Sequence, residues 1–479
     1  MTSAEPPPCR PRRWLWPLLV LIALHGLLVW PGVALEARRP LVPEGERNRN
    51  LAYPGEAKDQ DNYHLPVIRD MVRQWPRVNL RSYESATSPG YHLLLAGVAR
   101  ASGGVEHKLP MLIINALVGL GALIAVWFGC LRWVAPWPAV ALAVPLLGSS
   151  YFLGACIWIT TDNAALLLIA LAMNCVLAER WTRTRGLLSG LFAFGAVAVR
   201  QVSIWLAAPV VLMGLLASPA AGIVERIVPE LRTRTDRISP RWSNLLVGAG
   251  AAMMPIVLLG VLAWHWGGLI PASEAMRAKH GQGWNPAAIP FCLSLCAAYG
   301  VFFLGGAWGE IRRLTPRDAG LWIAGAIGLG CAVLFETGWE LKTRDYGWLW
   351  RGLVKPCGDV AGRSVVLLVL APCGAALLLL LHRAAVRRGR GLPATVLLLS
   401  LLGWLLAQSF NTMAWQRYFE CTVLLGLAWL GAMATGAERS ERSVSSLAPR
   451  WLGPLLLGAL QLSAAGATLG REVARTMLP

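Results

Sequence analysis

The run Trp14–Leu35, WLWPLLVLIALHGLLVWPGVAL, carries no acidic, lysine or arginine side chain over 22 residues. The hydrocarbon core of a bilayer takes a helix of about 20 apolar residues. This stretch therefore reads as a membrane span, and the fold depends on how many others are like it. Pro110–Leu131 and Leu245–Trp266 are of the same kind. The 479-residue chain is 56 % hydrophobic and only 15 % charged, with a mean hydropathy of +0.52. An ordinary soluble chain carries about 25 % charged residues. The composition excludes a solvated multidomain globule, a disordered chain and a fibre. It indicates an all-α, polytopic transmembrane helix bundle whose main solvent is lipid.

Spans are expected near 14–35, 108–131, 136–150, 153–178, 186–201, 202–217, 243–266, 287–310, 319–337, 363–383, 393–410, 413–435 and 451–470, about thirteen in all. Arg10, Arg12 and Arg13 precede the first, which sets the N-terminus on the cytoplasmic side. The first run is long for a cleaved signal peptide, although Ala34–Ala37 is loosely cleavage-like. Alternation then puts Glu179–Arg185, Ser218–Trp242, Ile311–Asp318, Arg383–Gly391 and Ala437–Arg450 inside, and these are the arginine-rich loops. One missed span would invert every later loop, so the agreement supports the count.

Three sizeable loops fall outside, 36–107, 267–286 and 338–362; the first holds nine of the 26 acids. Within it Leu65, Ile68, Val72 and Trp75 recur at helical spacing opposite Arg69, Asp70, Arg73 and Gln74. The pattern predicts a short amphipathic helix over 65–76, lying on the outer membrane face. A second short segment, Pro89–Arg100, follows the turn residues Ser85–Pro89. Residues 1–217, including outer loop 36–107, form one membrane module and residues 243–479 another. The basic linker 218–242 joins them, with Pro219, Pro229 and Pro240 marking a hinge.

The net charge of +18 does not indicate nucleic acid, because the arginines are spread over many short loops rather than gathered in a stripe. Basic loops in a membrane protein serve cytoplasmic retention and contact with anionic lipid. The ten cysteines lie mostly in apolar stretches, with Cys357 in a polar loop. They show neither a disulfide framework nor zinc spacing. Cys292 and Cys296 share a helix face and read as small core residues.

A central charge in a membrane span costs roughly 2.5–3.5 kcal/mol on insertion scales, so polar groups in or beside spans carry information. Asp162, Arg200, Gln201 and Arg417 lie at outer span ends, and Asp59, Asp61 and His64 lie just before the amphipathic helix. Each has a plain structural role to hand. Asp162 would cap its helix, Arg200 and Arg417 would snorkel to lipid phosphate, Asp61 would be a solvated loop acid, and His64 a satisfied structural histidine. Their common side of the membrane is what none of these roles requires. It points to a site at the outer interface.

The same residues carry a resemblance. Asp61-Asn-Tyr-His-Leu-Pro66 is similar to the Asp-Glu-x-Phe-His-x-Pro motif of the dolichyl-phosphate-glucose-dependent α-1,2-glucosyltransferases. Thr160-Thr-Asp162, Ala86-Thr-Ser-Pro-Gly-Tyr91 and Arg200-Gln-Val-Ser-Ile-Trp205 resemble that family's Tyr-Thr-Asp, Thr-Thr-x-Pro-Gly-x-Tyr and Arg-Gln-Thr-Asn-Ile-x-Trp segments. The likeness covers roughly the first half of the chain, with only Arg417-Tyr418 suggesting it in the second. Aligned on His64, Asp61 takes the place of the family's Glu and Gln60 that of its Asp, and Asp59 would serve if the loop shifts. The resemblance therefore implies the broader GT-C class of multispan glycosyltransferases more strongly than glucose itself. The arginine-rich, lysine-poor chain suits a bacterial relative, placed in the inner membrane with its site on the periplasmic side.

What the resemblance implies is transfer of a hexose from a polyprenyl-phosphate sugar donor to a glycan or lipid-linked acceptor, by inverting single displacement. The leaving phosphate needs cationic stabilisation and the acceptor hydroxyl needs a base. Asp61 is the first candidate base and Asp59 the second. Arg200, then Arg417, would hold the phosphate. His64, Gln201 and Asp162 would orient donor or base, with Tyr418 beside Arg417. No cluster demands a metal, although the acids could bind a divalent ion. A polytopic transporter or flippase would also carry intramembrane polar groups, but with a midplane site and often an inverted repeat, and no repeat is evident. A ligase moving whole oligosaccharides or acyl groups would show one very large outer loop or a Ser/His pair, and neither is found.

Overall fold

The computed structural model describes residues 12–42, 55–178, 181–228, 241–271, 283–435 and 448–477. Pro229, Pro240, Arg10, most of loop 267–286 and most of loop Ala437–Arg450 lie outside the described residues. The regular structure is helical apart from one small hairpin, Asp359–Val360 against Arg363–Ser364.

The first half contains α1 (Arg12–Arg38), α2 (Glu56–Asp59), one π-helical turn (Gln60–His64), α3 (Leu65–Gln74), α4 (Gly90–Ala101), α5 (Lys108–Cys130), α6 (Pro136–Gly148), α7 (Ser150–Ile157), α8 (Asp162–Val176), α9 (Arg183–Val199), a 3₁₀ stretch (Gln201–Leu206), α10 (Ala207–Leu216) and α11 (Ala221–Ile227). The second half contains α12 (Trp242–Trp266), α13 (Ala288–Gly300), α14 (Trp308–Ile311), α15 (Ala319–Leu334), a second π-helical turn (Leu349–Val354), α16 (Val365–Arg387), α17 (Gly391–Ser409), α18 (Arg417–Thr435) and α19 (Ala448–Met477).

Eight of the described helices are long and apolar enough to cross a membrane, or ten if each of two bent pairs is one span. The expectation was about thirteen. The shortfall has a local cause. The runs at 136–150 and 153–178 do not form two straight helices: α6 and α7 meet at a 72° bend, and Trp158–Thr161 separates α7 from α8. Helix α8 has 15 residues, about 23 Å of rise, short of a core of about 30 Å. The expected span at 319–337 is likewise a 16-residue helix, α15.

Close approaches between helices rest on glycine. Gly214 of α10 and Gly248 of α12 face each other so nearly that a Cβ on Gly214 would lie 2.9 Å from Gly248 Cα. A Cβ on Gly374 of α16 would lie 1.8 Å from the Leu293 carbonyl oxygen of α13. Small residues at such crossings let backbones pack where lipid offers no hydrophobic drive.

The amphipathic helix expected over 65–76 is α3, ending at Gln74. Leu65, Val67, Ile68 and Met71 are buried, and α3 packs on α4, the second segment expected in that loop. Protein covers the first half of the expected stripe, while Val72 is half-buried and Trp75 is 38 % exposed.

Candidate active site

The Asp61–Pro66 motif of loop 36–107 is built on an irregular turn. Asp59 closes α2 and His64 closes the π-helical turn. They are five residues apart, one turn of i→i+5 hydrogen bonding. Both line a single cavity of about 590 Å³, with Tyr63 beside them. Gln60 and Asp61, between them, point the other way.

The opposite wall comes from two helix ends. Arg200 follows α9 in extended conformation, φ −144° and ψ 115°, before the 3₁₀ stretch. This break in the helical path turns its side chain and that of Gln201 to the cavity. Trp415, Arg417 and Tyr418 line it from the start of α18. The guanidinium carbons of Arg200 and Arg417 each lie 5.0 Å from the Tyr418 ring centroid, and Trp415 stacks on Tyr418 at 5.7 Å and 14°. Leu259 from α12, Leu269 and Ile270 after it, Ala407 from the end of α17, and Phe410 add apolar surface, with the neutral polar side chains of Ser85, Thr87, Thr161, Gln408 and Asn411 among them. The cavity thus combines charged side chains with apolar surface.

Both arginines are paired. Arg417 Nη1 donates to Asp59 Oδ2 and Arg200 Nη1 donates to Asp162 Oδ1. Asp162 stands in the first turn of α8, after the N-cap residue Thr161, where a carboxylate also complements the helix dipole. Gln201 Nε2 donates to the Ala86 carbonyl at 2.6 Å, and Ser88 Oγ donates to Gln201 Oε1 at 3.3 Å. These bonds tie the Ala86–Tyr91 motif to the Arg200–Trp205 motif. A second cavity, about 50 Å³, shares Arg200, Arg417 and Tyr418 with the first and is lined by Asp162 and Glu56.

Asp61 is placed elsewhere. Its Oδ1 accepts from Arg39 Nη2 at 2.7 Å, and its side chain is 2 % exposed. Arg39 Nε donates to Glu36 at 2.8 Å, and Lys108 Nζ and Gln60 Nε2 donate to the same carboxylate, each at 2.8 Å. Trp158 Nε1 adds a bond at 3.2 Å. Burial opposes the charge on Arg39, but its bonds to Asp61 and Glu36 override that and hold it above the ordinary range. This four-charge cluster anchors loop 36–107 to α1 and α5; Asp61 is not among the cavity's lining residues.

Burial drives His64 down to about 3, with Arg417 and Arg200 adding to the fall against Asp162. Its ring is neutral. Burial raises Glu56 to about 7 despite Arg417. Among the described residues no group of three or more His, Cys, Asp or Glu is arranged to hold a metal.

Of the residues singled out in the sequence, Asp59, His64, Arg200, Gln201, Arg417 and Tyr418 meet at the cavity, Asp162 stands behind Arg200, and Asp61 faces away. Glu56, Tyr63 and Trp415 were not foreseen. Trp415 sits two residues before Arg417, and its position beside that cation was the available signal.

No family model and no curated protein matches this chain. Among solved structures it is similar to the archaeal oligosaccharyltransferase AglB from Archaeoglobus fulgidus in complex with an inhibitory peptide and a dolichol-phosphate, at 14 % identity and a TM-score of 0.43, covering 96 % of this chain and 56 % of that one. It is also similar to the Archaeoglobus fulgidus oligosaccharyltransferase in the apo form, at 14 % identity and a TM-score of 0.45, over 98 % of this chain and 56 % of that one. The chain spans a little over half the length of both.

Proposed function

We propose that this protein is a membrane glycosyltransferase of GT-C type that moves a hexose from a polyprenyl-phosphate donor to a glycan or lipid-linked acceptor on the outer face. The observation that carries the reading is the cavity itself: two arginines and a carboxylate share one cavity with apolar side chains of α12 and the end of α17. A sugar phosphate on an isoprenoid tail has that combination of charge and grease. A cavity of several hundred Å³ is also of the right size for the head group.

Asp59 is the base in this reading, in place of Asp61. It stands on the cavity wall next to Arg417, whereas Asp61 is committed to Arg39. Asp59 takes the proton of the acceptor hydroxyl, whose oxygen attacks the anomeric carbon. The bond from that carbon to the phosphate oxygen breaks on the opposite side, and its electron pair leaves with the phosphate. One displacement inverts the anomeric centre. Arg200 and Arg417 stabilise the phosphate as its charge grows; a planar guanidinium suits that contact bidentately. Phosphate competes with Asp162 and Asp59 for the two cations, which frees Asp59 when the donor is seated. Tyr418 fixes the spacing of the two guanidinium groups, and the Gln201–Ala86 bond holds the loop around them.

The experiment is incubation of the purified protein with a panel of radiolabelled polyprenyl-phosphate hexoses and a membrane-lipid acceptor extract. Transfer from one donor, abolished in Asp59→Asn, is expected. Absence of transfer from every donor, with tight binding of none, would remove the assignment.

A further inference from the structure

His64 presents one ring edge to the cavity and the other to the protein. Its Nδ1 lies 2.8 Å from His92 Nε2. The other nitrogen of His92, Nδ1, lies 2.6 Å from the Tyr83 hydroxyl, and that hydroxyl lies 3.2 Å from the Ser88 carbonyl oxygen. His92 is 0 % and Tyr83 4 % exposed. Neither touches the cavity, and neither has a part in the chemistry above.

The chain is held rigidly. The two imidazoles meet edge to edge, their centroids 5.1 Å apart and their planes within 20°, and Tyr83 stacks on Trp266, the last residue of α12, at 6.2 Å and 6°. Burial keeps His92, like His64, well below its ordinary range, so both rings are neutral. Two neutral imidazoles joined by one hydrogen bond hold one proton between them. The direction of the whole chain is therefore all or none. In one arrangement Tyr83 donates to His92 Nδ1, His92 Nε2–H donates to His64 Nδ1, and His64 keeps its proton on Nε2, facing the cavity. In the other, Tyr83 donates to the Ser88 carbonyl, every bond reverses, and His64 Nε2 becomes a bare lone pair. The hydroxyl has one proton, and the imidazole nitrogen is its nearer acceptor, at 2.6 Å against 3.2 Å for the carbonyl.

We propose that Tyr83 and His92 are positioning residues that fix His64 as the Nε2–H tautomer, so that it offers a neutral hydrogen-bond donor to a phosphate oxygen of the sugar donor. The proposal rests on the glycosyl-transfer reading for its ligand. It also explains how a histidine can stand beside Asp59 without competing as a base: an Nε2 that already bears a proton takes no other.

The test uses the full-length protein in lipid nanodiscs, labelled with ¹⁵N at histidine. Pyrrole-type and pyridine-type ring nitrogens resonate far apart, and the His64→Gln variant identifies the His64 signals by their loss. A single Nε2–H form is expected for His64 in the parent protein. Tyr83→Phe removes the hydroxyl proton that orients the chain. It should mix the tautomers and, for an even mixture, raise the donor KM about twofold, in proportion to the lost Nε2–H fraction, while kcat stays unchanged. His64→Gln, whose amide N–H can stand where Nε2–H stood, should bind donor nearly as the parent does, and His64→Asn should not. An Nδ1–H form in the parent, or an unchanged tautomer in Tyr83→Phe, overturns the proposal. If Tyr83→Phe does not fold, the parent spectrum and the Gln/Asn contrast decide. The spectra need no turnover, so a failure to find any sugar donor would count against glycosyl transfer and leave the tautomer result standing.

Discussion

Asp59→Asn and Asp61→Asn should fail in opposite ways. The two carboxylates are two residues apart, yet one lines the cavity and the other is sealed behind it. Asparagine nearly matches aspartate in shape but takes up no proton at neutral pH. At position 59 it removes a general base, a loss of about 10²–10⁴ in turnover, or roughly 3–5 kcal/mol of barrier. Arg417, 9 % exposed, then loses a partner, but it keeps the Tyr418 and Trp415 rings and the field of Asp162 and lines an open cavity, so the melting temperature should fall less than at position 61. At position 61 the same exchange breaks a bond between side chains that are 2 % and 10 % exposed. Breaking a buried ion pair costs about 3–5 kcal/mol; Arg39 retains its two bonds to Glu36, which favours the lower figure. The assay pairs transfer from a polyprenyl-phosphate hexose with thermal unfolding of the same detergent-solubilised samples. Asp59→Asn should be folded and nearly inactive, and Asp61→Asn should be destabilised with activity per folded molecule largely kept. A fully active Asp59→Asn alongside an inactive Asp61→Asn with the parent's melting temperature would refute the reasoning and return the base to Asp61.

Arg200→Ala should weaken donor binding and turnover together, by about tenfold or more for a lost charge-assisted bond, with Arg200→Lys recovering only part because a point charge does not copy the planar fork; donor titration and initial rates check both. Glu56, held at about 7 against an ordinary 4.5, binds its proton more tightly in the folded state. Its contribution is full below pH 4.5 and is lost as pH rises through 7, about 3 kcal/mol in all. Melts between pH 5 and 8.5 should therefore fall less steeply in Glu56→Gln than in the parent, and equal slopes would remove the claim. Single cysteines in a cysteine-free background test sidedness: Val360→Cys should react with an impermeant maleimide on intact cells, and Arg226→Cys only after permeabilisation. Labelling of both from outside would invert or break the loop-charge topology.

The spans were legible because lipid demands an unbroken apolar run, and that demand leaves its mark in composition. The breaks were not. Trp158–Thr161 reads as one more stretch of an apolar helix, and only packing reveals that Gln60 Oε1 accepts the Ile159 backbone N–H at 2.8 Å and holds the chain open there. The fate of α3 was hidden for a related reason. An amphipathic stripe states that something apolar must cover it, and periodicity does not distinguish lipid from α4. Within the site, Arg200, Gln201, Arg417 and Asp162 were legible as polar residues at span ends, where burial makes an uncommitted charge costly, and His64 as part of the motif before α3.

The misplaced residue is the instructive one, because Asp59 and Asp61 were told apart by a turn that sequence spacing does not encode. Regular α-helix from Glu56 onward would advance about 100° per residue, and Asp59 and His64 would diverge by well over a quarter turn. The π-helical turn closes that gap. It does so because Gln60 and Asp61 have strong partners on the other side: Glu36 and the Ile159 N–H for one, Arg39 for the other. The buried cluster sets the register of the turn, and the register decides which carboxylate meets Arg417. The charges of Glu36, Arg39, Lys108 and Asp61 thus act on the chemistry without touching the cavity. Removing any one of them should be felt first as a loss of stability and only through it as a loss of rate.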